Sequence, residues 1–445
     1  MTTTSDERGL RASLRNFGGA GAGAGRESTD KAIGKDSHRW KVLGVGVAAN
    51  GSFAAALTGL PATAVSMRAD YGLAATDLGL VIGAMGLGVA GSELLWGMLT
   101  DRWGDRKVLL TGLGLTGLML ALMALLLSPV PGRIPSTTLL AGAFLLVGMI
   151  GGSLNGSSGR AVMAWFGEGE RGFAMSVRQM ALPAGGAAGA LILPPLAEGV
   201  GFQGVYGTLA AFCLITTGFV WLWVSEPPVM AAKMMAGTSS RNSGKGPLRN
   251  EQVWKTVFGI GALCIPQVAV VTFAAIFLND VGHLGTAAVS ASIVAIQLGA
   301  AVVRVWSGHF TDRRRNRRPF LKSCALLTAV VYCVLAGFVA INSALPEPGG
   351  AFVVAVVVAL VGGGIVASSW HGIAFTELAS IAGIAHTGTA LGLGNTFAFG
   401  AYFLAPLAIP HVLERASWSG VWLAAAVAAL AAFILFPKVA PVEER

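Results

Sequence analysis

Charge is scarce in this 445-residue chain: Asp, Glu, Lys and Arg make up 12% of it, against 54% hydrophobic residues. A soluble domain carries roughly twice that charge, at about 25%. A water-soluble fold is therefore excluded, because much of the apolar surface would face solvent. Cysteine is scarce too. Cys213, Cys264, Cys324 and Cys333 all sit in apolar runs and form no ligand-spaced pair, which excludes a disulfide scaffold and a thiolate metal site. No Ser/His/Asp set or metal-ligand spacing is present. The glycine-rich run Gly18 to Gly25 lacks a preceding strand pattern and a following GKS or GKT, so it reads as a linker, not a phosphate loop. An enzyme is not expected, and neither a cofactor nor a metal is called for. A cleavable leader with a short apolar core is missing as well; the first hydrophobic segment is long enough to act as an uncleaved signal anchor.

What the chain has instead is long hydrophobic runs. A helix crossing a bilayer needs about 20 mainly apolar residues. Twelve such segments are expected, at 42–65, 77–99, 108–129, 137–163, 173–197, 204–225, 254–279, 287–309, 320–342, 351–379, 388–410 and 418–437. An even number puts both termini on one side. With the N-terminus inside, only Arg68, Arg133 and Arg415 of the 31 cations fall in outside loops, and Arg160, Arg178 and Arg304 fall within spans. That bias places both termini in the cytoplasm. The net charge of +9 is thus a topology signal, and no nucleic-acid partner is expected. Residues 1–40 read as a disordered cytoplasmic tail, 41–225 as a first six-helix bundle and 226–253 as a cytoplasmic central loop. Residues 254–437 read as a second bundle and 438–445 as a cytoplasmic tail. Val229–Met235 is amphipathic enough to lie on the membrane surface, or to belong to a loose linker.

One charged stretch occurs twice. Gly97-Met-Leu-Thr-Asp101-Arg102-Trp-Gly104-Asp105-Arg106-Lys107 returns as Gly308-His-Phe-Thr-Asp312-Arg313-Arg314-Arg315-Asn-Arg317-Arg318, 211 residues later. Both copies lie between hydrophobic segments, which marks a duplicated membrane protein. With twelve spans in two halves and a long central loop, the chain resembles the major facilitator superfamily. The first copy matches that family's signature loop at Gly97, Leu99, Asp101, Arg102, Gly104, Arg106 and Lys107, and the second is degenerate after Arg313. The resemblance implies an all-α membrane protein of 12 transmembrane helices in two pseudo-symmetric six-helix bundles. It implies a monomeric secondary transporter of the bacterial inner membrane, working by alternating access on a small-molecule substrate. It further implies that spans one, four, seven and ten line the cavity, with two, five, eight and eleven at the seams.

The drug–proton exporters of that superfamily carry an Arg near the start of span four and Gly-Pro-x-x-Gly-Gly in span five. Here Phe144 and Gly148 occupy the Arg and following Gly positions. The span-five stretch is Leu182-Pro183-Ala184-Gly185-Gly186, with no Gly before Pro183. The stretch from Trp165-Phe166 through Arg178-Gln179 to Pro183 loosely resembles anion carriers of the cyanate or nitrate type. The expected cargo is therefore a small anion of organic-acid type, moved by symport with protons or by the membrane potential. The alternative is a proton-coupled exporter of drugs or amphipathic metabolites.

In the hairpins, Gly97 permits close helix approach, and Asp101 and Asp312 can face the N-termini of spans eleven and five, where the helix dipole favours a carboxylate. Gly97, Asp101, Arg102, Arg106, Lys107, Asp312 and Arg313 are thus candidates for gating, the alternative being that they only fix topology. Ionisable groups within spans are functional candidates because they are costly there. The 211-residue offset pairs Glu93 with Arg304 and Arg160 with His371. Arg178, Arg304 and Arg160 are candidate anion-binding cations; Arg160 and Arg178 could instead snorkel or pair with Glu168 and Glu170. Glu93 and Glu377 are candidate proton carriers, with Glu377 alternatively salt-bridged to the Arg313–Arg318 cluster. Gln179, His371, Trp370, Asn50, Gln267 and Asn395 complete the candidate substrate-binding set. Asn155, Ser52, Ser368 and Ser369 are further polar groups on cavity helices.

Overall fold

The computed structural model describes residues 37–225, 246–342 and 349–437. The expected tail, the amphipathic Val229–Met235 piece and the extreme C-terminus lie outside the described residues, apart from 37–40, which open the first helix. Among the described residues, eleven helices are long and apolar enough to span a membrane. The longest, Thr387–Leu435, has 49 residues. At about 1.5 Å per residue it is roughly twice as long as one crossing of a ~30 Å hydrocarbon layer requires. Its backbone leaves helical geometry at Ala416 and Ser417, which divides it into two spans. The total is twelve.

We number them α1 (Ser37–Asp70), α2 (Ala75–Trp103), α3 (Asp105–Leu126), α4 (Thr137–Trp165), α5 (Arg171–Gly199) and α6 (Phe202–Trp223) in the first half. The second half contains α7 (Glu251–Gly282), α8 (Thr286–Arg314), α9 (Arg317–Asn342), α10 (Gly350–Ala382), α11 (387–416) and α12 (417–435). Four of these are broken part-way: α1 by the 3-10 turn Leu60–Thr63, α4 at Gly152, α5 at Met180 and α10 at Ser368 to Trp370. Irregular backbone at membrane depth is tolerated where protein or a water-filled cavity covers it. All four breaks lie on helices that reach the central cavity described below.

The two hairpins turn differently at the equivalent position. Gly104 turns the first with φ 86° and ψ 162°, whereas Arg315, 211 residues on, is left-handed, with φ 52° and ψ 34°. A glycine adopts that region freely, whereas an arginine there costs roughly 1–2 kcal/mol. The tight α8–α9 connection therefore imposes the turn against the residue's own preference. Apolar packing forms a core in each half: Phe53, Phe144 and Tyr206 lie in the first, and Phe277, Tyr332 and Trp422 in the second. A further apolar cluster joins the halves, with Met163 and Met175 packed among Trp370, Ile373 and Leu391, and beside it glycine and backbone meet directly.

Candidate functional site

The two halves meet along two seams, α2 against α11 and α5 against α8, with α10 beside the second. On the hairpin side these seams are closed. A Cβ on Gly97 would lie 2.4 Å from the Gly388 carbonyl oxygen, and one on Gly392 would lie 2.4 Å from that of Glu93. Across the other seam, a Cβ on Gly308 would lie 2.5 Å from the carbonyl oxygen of Gly172. No larger residue fits such approaches without parting the helices. Farther along α2, Gly79, Gly83 and Gly86 have nothing within 4 Å of a Cβ. The molecule is shut at the hairpins, and the α2 glycines that line the cavity described below, Gly83 and Gly86, face open space.

Each hairpin aspartate closes its seam. Asp101 accepts hydrogen bonds from the backbone N–H of Gly388 and Thr389, both 2.7 Å, and from the Thr389 hydroxyl at 2.6 Å. Asp312 accepts from the N–H of Gly172 at 3.0 Å and of Phe173 at 2.9 Å. Both sets of donors belong to the first turn of a helix, where N–H groups lack internal partners. Arg160 lies in this layer, 3.4 Å from Asp101 and 2.7 Å from Asp105. Arg317 pairs with Asp312 at 3.1 Å. Arg106 donates to the Trp221 carbonyl at 2.9 Å and lies over that ring, while Arg102, Lys107 and Arg313 are exposed. Glu377 sits on the same side, paired with Arg318 at 2.6 Å.

Above the closed seams lies a cavity of about 570 Å³ reached by both halves. Its polar wall consists of Thr58, Asn155 and Gln179 from the first half and Gln267, Gln297, Arg304, His371, Asn395 and Tyr402 from the second. Arg304 is buried, and its Nε donates to the Ser368 carbonyl at the break in α10, at 3.0 Å. Among the described residues it makes no ion pair. Gln267 donates to the Tyr402 hydroxyl at 3.2 Å, leaving its own buried Oε1 without a partner, and His371 Nδ1 is likewise unpartnered. Trp370 is fully buried, stacked on His371 at 3.9 Å and turned away from the wall.

Behind the wall runs a second polar cluster. Glu93 is completely buried and accepts from Asn155 Nδ2 at 2.5 Å and from Asn395 Nδ2 at 3.3 Å. Asn155 belongs to the first half and Asn395 to the second, so Glu93 bridges the seam. Arg178, within electrostatic range of Glu93, is enclosed. Its guanidinium donates to Ser158 Oγ at 2.9 and 3.1 Å, to Gln179 Oε1 at 3.0 Å and to the Asn155 carbonyl at 2.5 Å. Asn50 donates to the same Ser158 at 2.6 Å and is buried off the wall. The structure thus brings Arg304, Gln179, His371, Gln267 and Asn395 to one cavity, with Glu93 and Arg178 in the layer behind it. Arg160 and Glu377 are at the hairpins. Gln297 and Tyr402 are wall residues that the sequence reading missed. Gln297 could have been found, since it lies seven residues, or two helical turns, before Arg304.

The family description of the Major Facilitator Superfamily matches residues 45–406. The chain belongs to the major facilitator superfamily. An MFS-type transporter of Mycobacterium tuberculosis is 27% identical over 408 residues, covering 90% of this chain and 85% of that protein. The glycerol-3-phosphate transporter of Bacillus subtilis is 30% identical over 172 residues, 38% of this chain and 37% of that one. Among solved structures, the MFS proton:xylose symporter XylE bound to 6-bromo-6-deoxy-D-glucose superposes with a TM-score of 0.72 at 14% identity, covering 90% of this chain and 95% of its own. This MFS chain is a multi-pass membrane protein with the twelve-helix fold of its family, and a secondary transporter.

Proposed function

We propose that this MFS protein carries a small anion by alternating access, with Arg304 as the anion-binding cation and Glu93 as the proton site. One observation carries the reading. Arg304 is the sole formally charged side chain on the cavity wall among the described residues, and no carboxylate there neutralises it. Holding a cation in a membrane interior is costly unless a partner arrives, and a guanidinium fork suits carboxylate or phosphate oxygens. The partial relative that carries glycerol 3-phosphate is in keeping with such a cargo.

The excess of Lys and Arg in the hairpin-side loops supports a cytoplasmic position for that side in a bacterial inner membrane. The cavity then faces outward, and the hairpin aspartates act as the inner gate. A proton on Glu93 would offset the anion's charge, since moving one elementary charge through 100 mV is worth about 2.3 kcal/mol. Apolar side chains such as Phe375, Phe399 and Phe403 also line the cavity and would suit the amphipathic drugs of the alternative reading; the unpaired charge of Arg304 is what favours an anion.

Proteoliposome uptake tests this. Glycerol 3-phosphate, lactate, benzoate and cyanate are offered as anions, with xylose and ethidium as neutral and cationic controls. At least one anion should accumulate. Arg304→Gln should reduce its uptake by about thirtyfold or more, as expected when one partner of a buried charge pair is removed, while Arg304→Lys retains part of it. Undiminished uptake by folded Arg304→Gln, or transport of the controls alone, would overturn the proposal.

A further inference from the structure

Glu93 does not touch the cavity, yet both of its hydrogen-bond partners do. Asn155 and Asn395 lie on the wall while their amide nitrogens turn back to the carboxylate. A primary amide has a donor end and an acceptor end. With each nitrogen turned to Glu93 and only its second N–H left over, the end that either residue turns toward the cavity is its oxygen, an acceptor that repels an anion. We infer that Asn155 and Asn395 transmit the ionisation state of Glu93 to the cavity: ionised Glu93 holds both amides oxygen-outward, and protonated Glu93 turns at least one of them to present N–H to an anion. The inference rests on the anion reading above and supplies its coupling step.

The balance is simple. A proton from cavity water adds to one Glu93 carboxylate oxygen, which becomes an O–H donor. That O–H needs an acceptor, and the buried surroundings offer amide oxygens. Rotation of one amide by about 180° satisfies it and releases an N–H to the wall. An unrotated pair would leave a buried hydroxyl without a partner, a cost on the order of a good hydrogen bond. Few other groups bear on Glu93. Arg178 faces it from α5, Asn155 from α4 and Asn395 from α11, with Asp101 two turns away on α2 and Arg160 held at that hairpin.

Arg178 supplies a competing explanation. Protonating Glu93 leaves Arg178 without its counter-charge, and the cavity becomes more positive with no amide rotation. Replacing the amides separates the two accounts: Asn155→Leu and Asn395→Leu keep both charged residues, and the Glu93 carboxyl band in the infrared spectra below identifies the variants in which the carboxylate, short of those donors, still ionises. Where a leucine variant fails to fold, Asn→Ser is the substitute.

Two measurements on the full chain in lipid nanodiscs decide. The first needs no ligand: infrared difference spectra between alkaline and acid protein, with 13C-labelled asparagine. The side-chain amide bands should change with pH, lose the change in Glu93→Gln, and lose part of it in each leucine variant. Spectra in which the asparagine bands ignore Glu93 would overturn the inference. The second is binding of glycerol 3-phosphate and benzoate. Wild type should bind one of them about tenfold more tightly in the acid form, the effect of exchanging an acceptor for a donor. Glu93→Gln, whose own amide can donate to Asn155 or Asn395, should bind like the acid form at every pH. The double leucine variant should lose the pH dependence and keep the dependence on Arg304. Full pH dependence in the double variant would assign the effect to Arg178 and sink the relay. If no probe binds at any pH, the anion reading fails, and the infrared result still decides the relay.

Discussion

Neutralising Asp101 should open the hairpin side of the molecule, by an amount that can be worked out from its contacts. The carboxylate accepts three hydrogen bonds of 2.6 to 2.7 Å, two of them from backbone N–H groups in the first turn of α11. Bonds to a charged acceptor contribute about 1.5–3 kcal/mol each, and a buried donor left unpaired costs about 1–3 kcal/mol. Asn in place of Asp keeps one oxygen, turns an NH2 toward the remaining donors and removes the charge that the helix terminus favours by about 0.3–1 kcal/mol. The closed seam should weaken by about 3 kcal/mol, on the order of a hundredfold in the balance of conformations. The assay uses a background in which Cys213, Cys264, Cys324 and Cys333 are replaced, with cysteine introduced at Ala390. That residue is fully buried just beyond the latch. A membrane-impermeant maleimide applied from the hairpin side should label Asp101→Asn far faster than the parent. Unchanged labelling in a variant of normal thermal stability would refute the latch and leave the hairpin a topology device only.

Other outcomes follow from the same contacts. Gly97→Val puts atoms inside the Gly388 carbonyl and should bias the transporter away from the hairpin-closed form, read as faster labelling at Ala390→Cys. Glu377→Gln breaks a largely buried ion pair with Arg318; it should lower stability by about 1–3 kcal/mol and leave transport by the folded protein near normal. A large loss of coupled transport would instead make Glu377 a proton carrier. Tyr71→Phe removes hydrogen bonds to the Leu127 carbonyl at 2.8 Å and the Tyr206 hydroxyl at 3.1 Å. It should lower thermal stability by about 1–2 kcal/mol without changing substrate preference.

The repeat made much of this arrangement legible from residues alone. The offset of 211 places Glu93, Gly97 and Asp101 on α2 in register with Arg304, Gly308 and Asp312 on α8. A second offset of 216 relates their partners, Gly172, Ser176 and Gln179 on α5 to Gly388, Gly392 and Asn395 on α11. The rotation of each helix about its axis was not legible. Periodicity shows it only when one face is polar, whereas these spans are apolar toward lipid and apolar toward protein alike. Hence Trp370 reads as a wall residue but packs inward, Tyr402 goes unnoticed, and Arg178 does not disclose that Ser158 and Gln179 enclose it. Arg160 was ambiguous for another reason: its carboxylate partners, Asp101 and Asp105, come from a different helix pair.

The glycine seams bear on speed. Where Gly97 meets Gly388, Gly392 meets Glu93 and Gly308 meets Gly172, main chain rests on main chain. Bringing such surfaces together freezes few rotamers, because glycine has no side chain to order. A seam of leucines would hold more tightly but would have to re-sort its side chains at every closure. This one can part and re-form with little to rearrange, so the tempo of the cycle falls to the aspartate hydrogen bonds at its end, the Glu93–Asn395 bond and the packing of Met163 and Met175 on the second half.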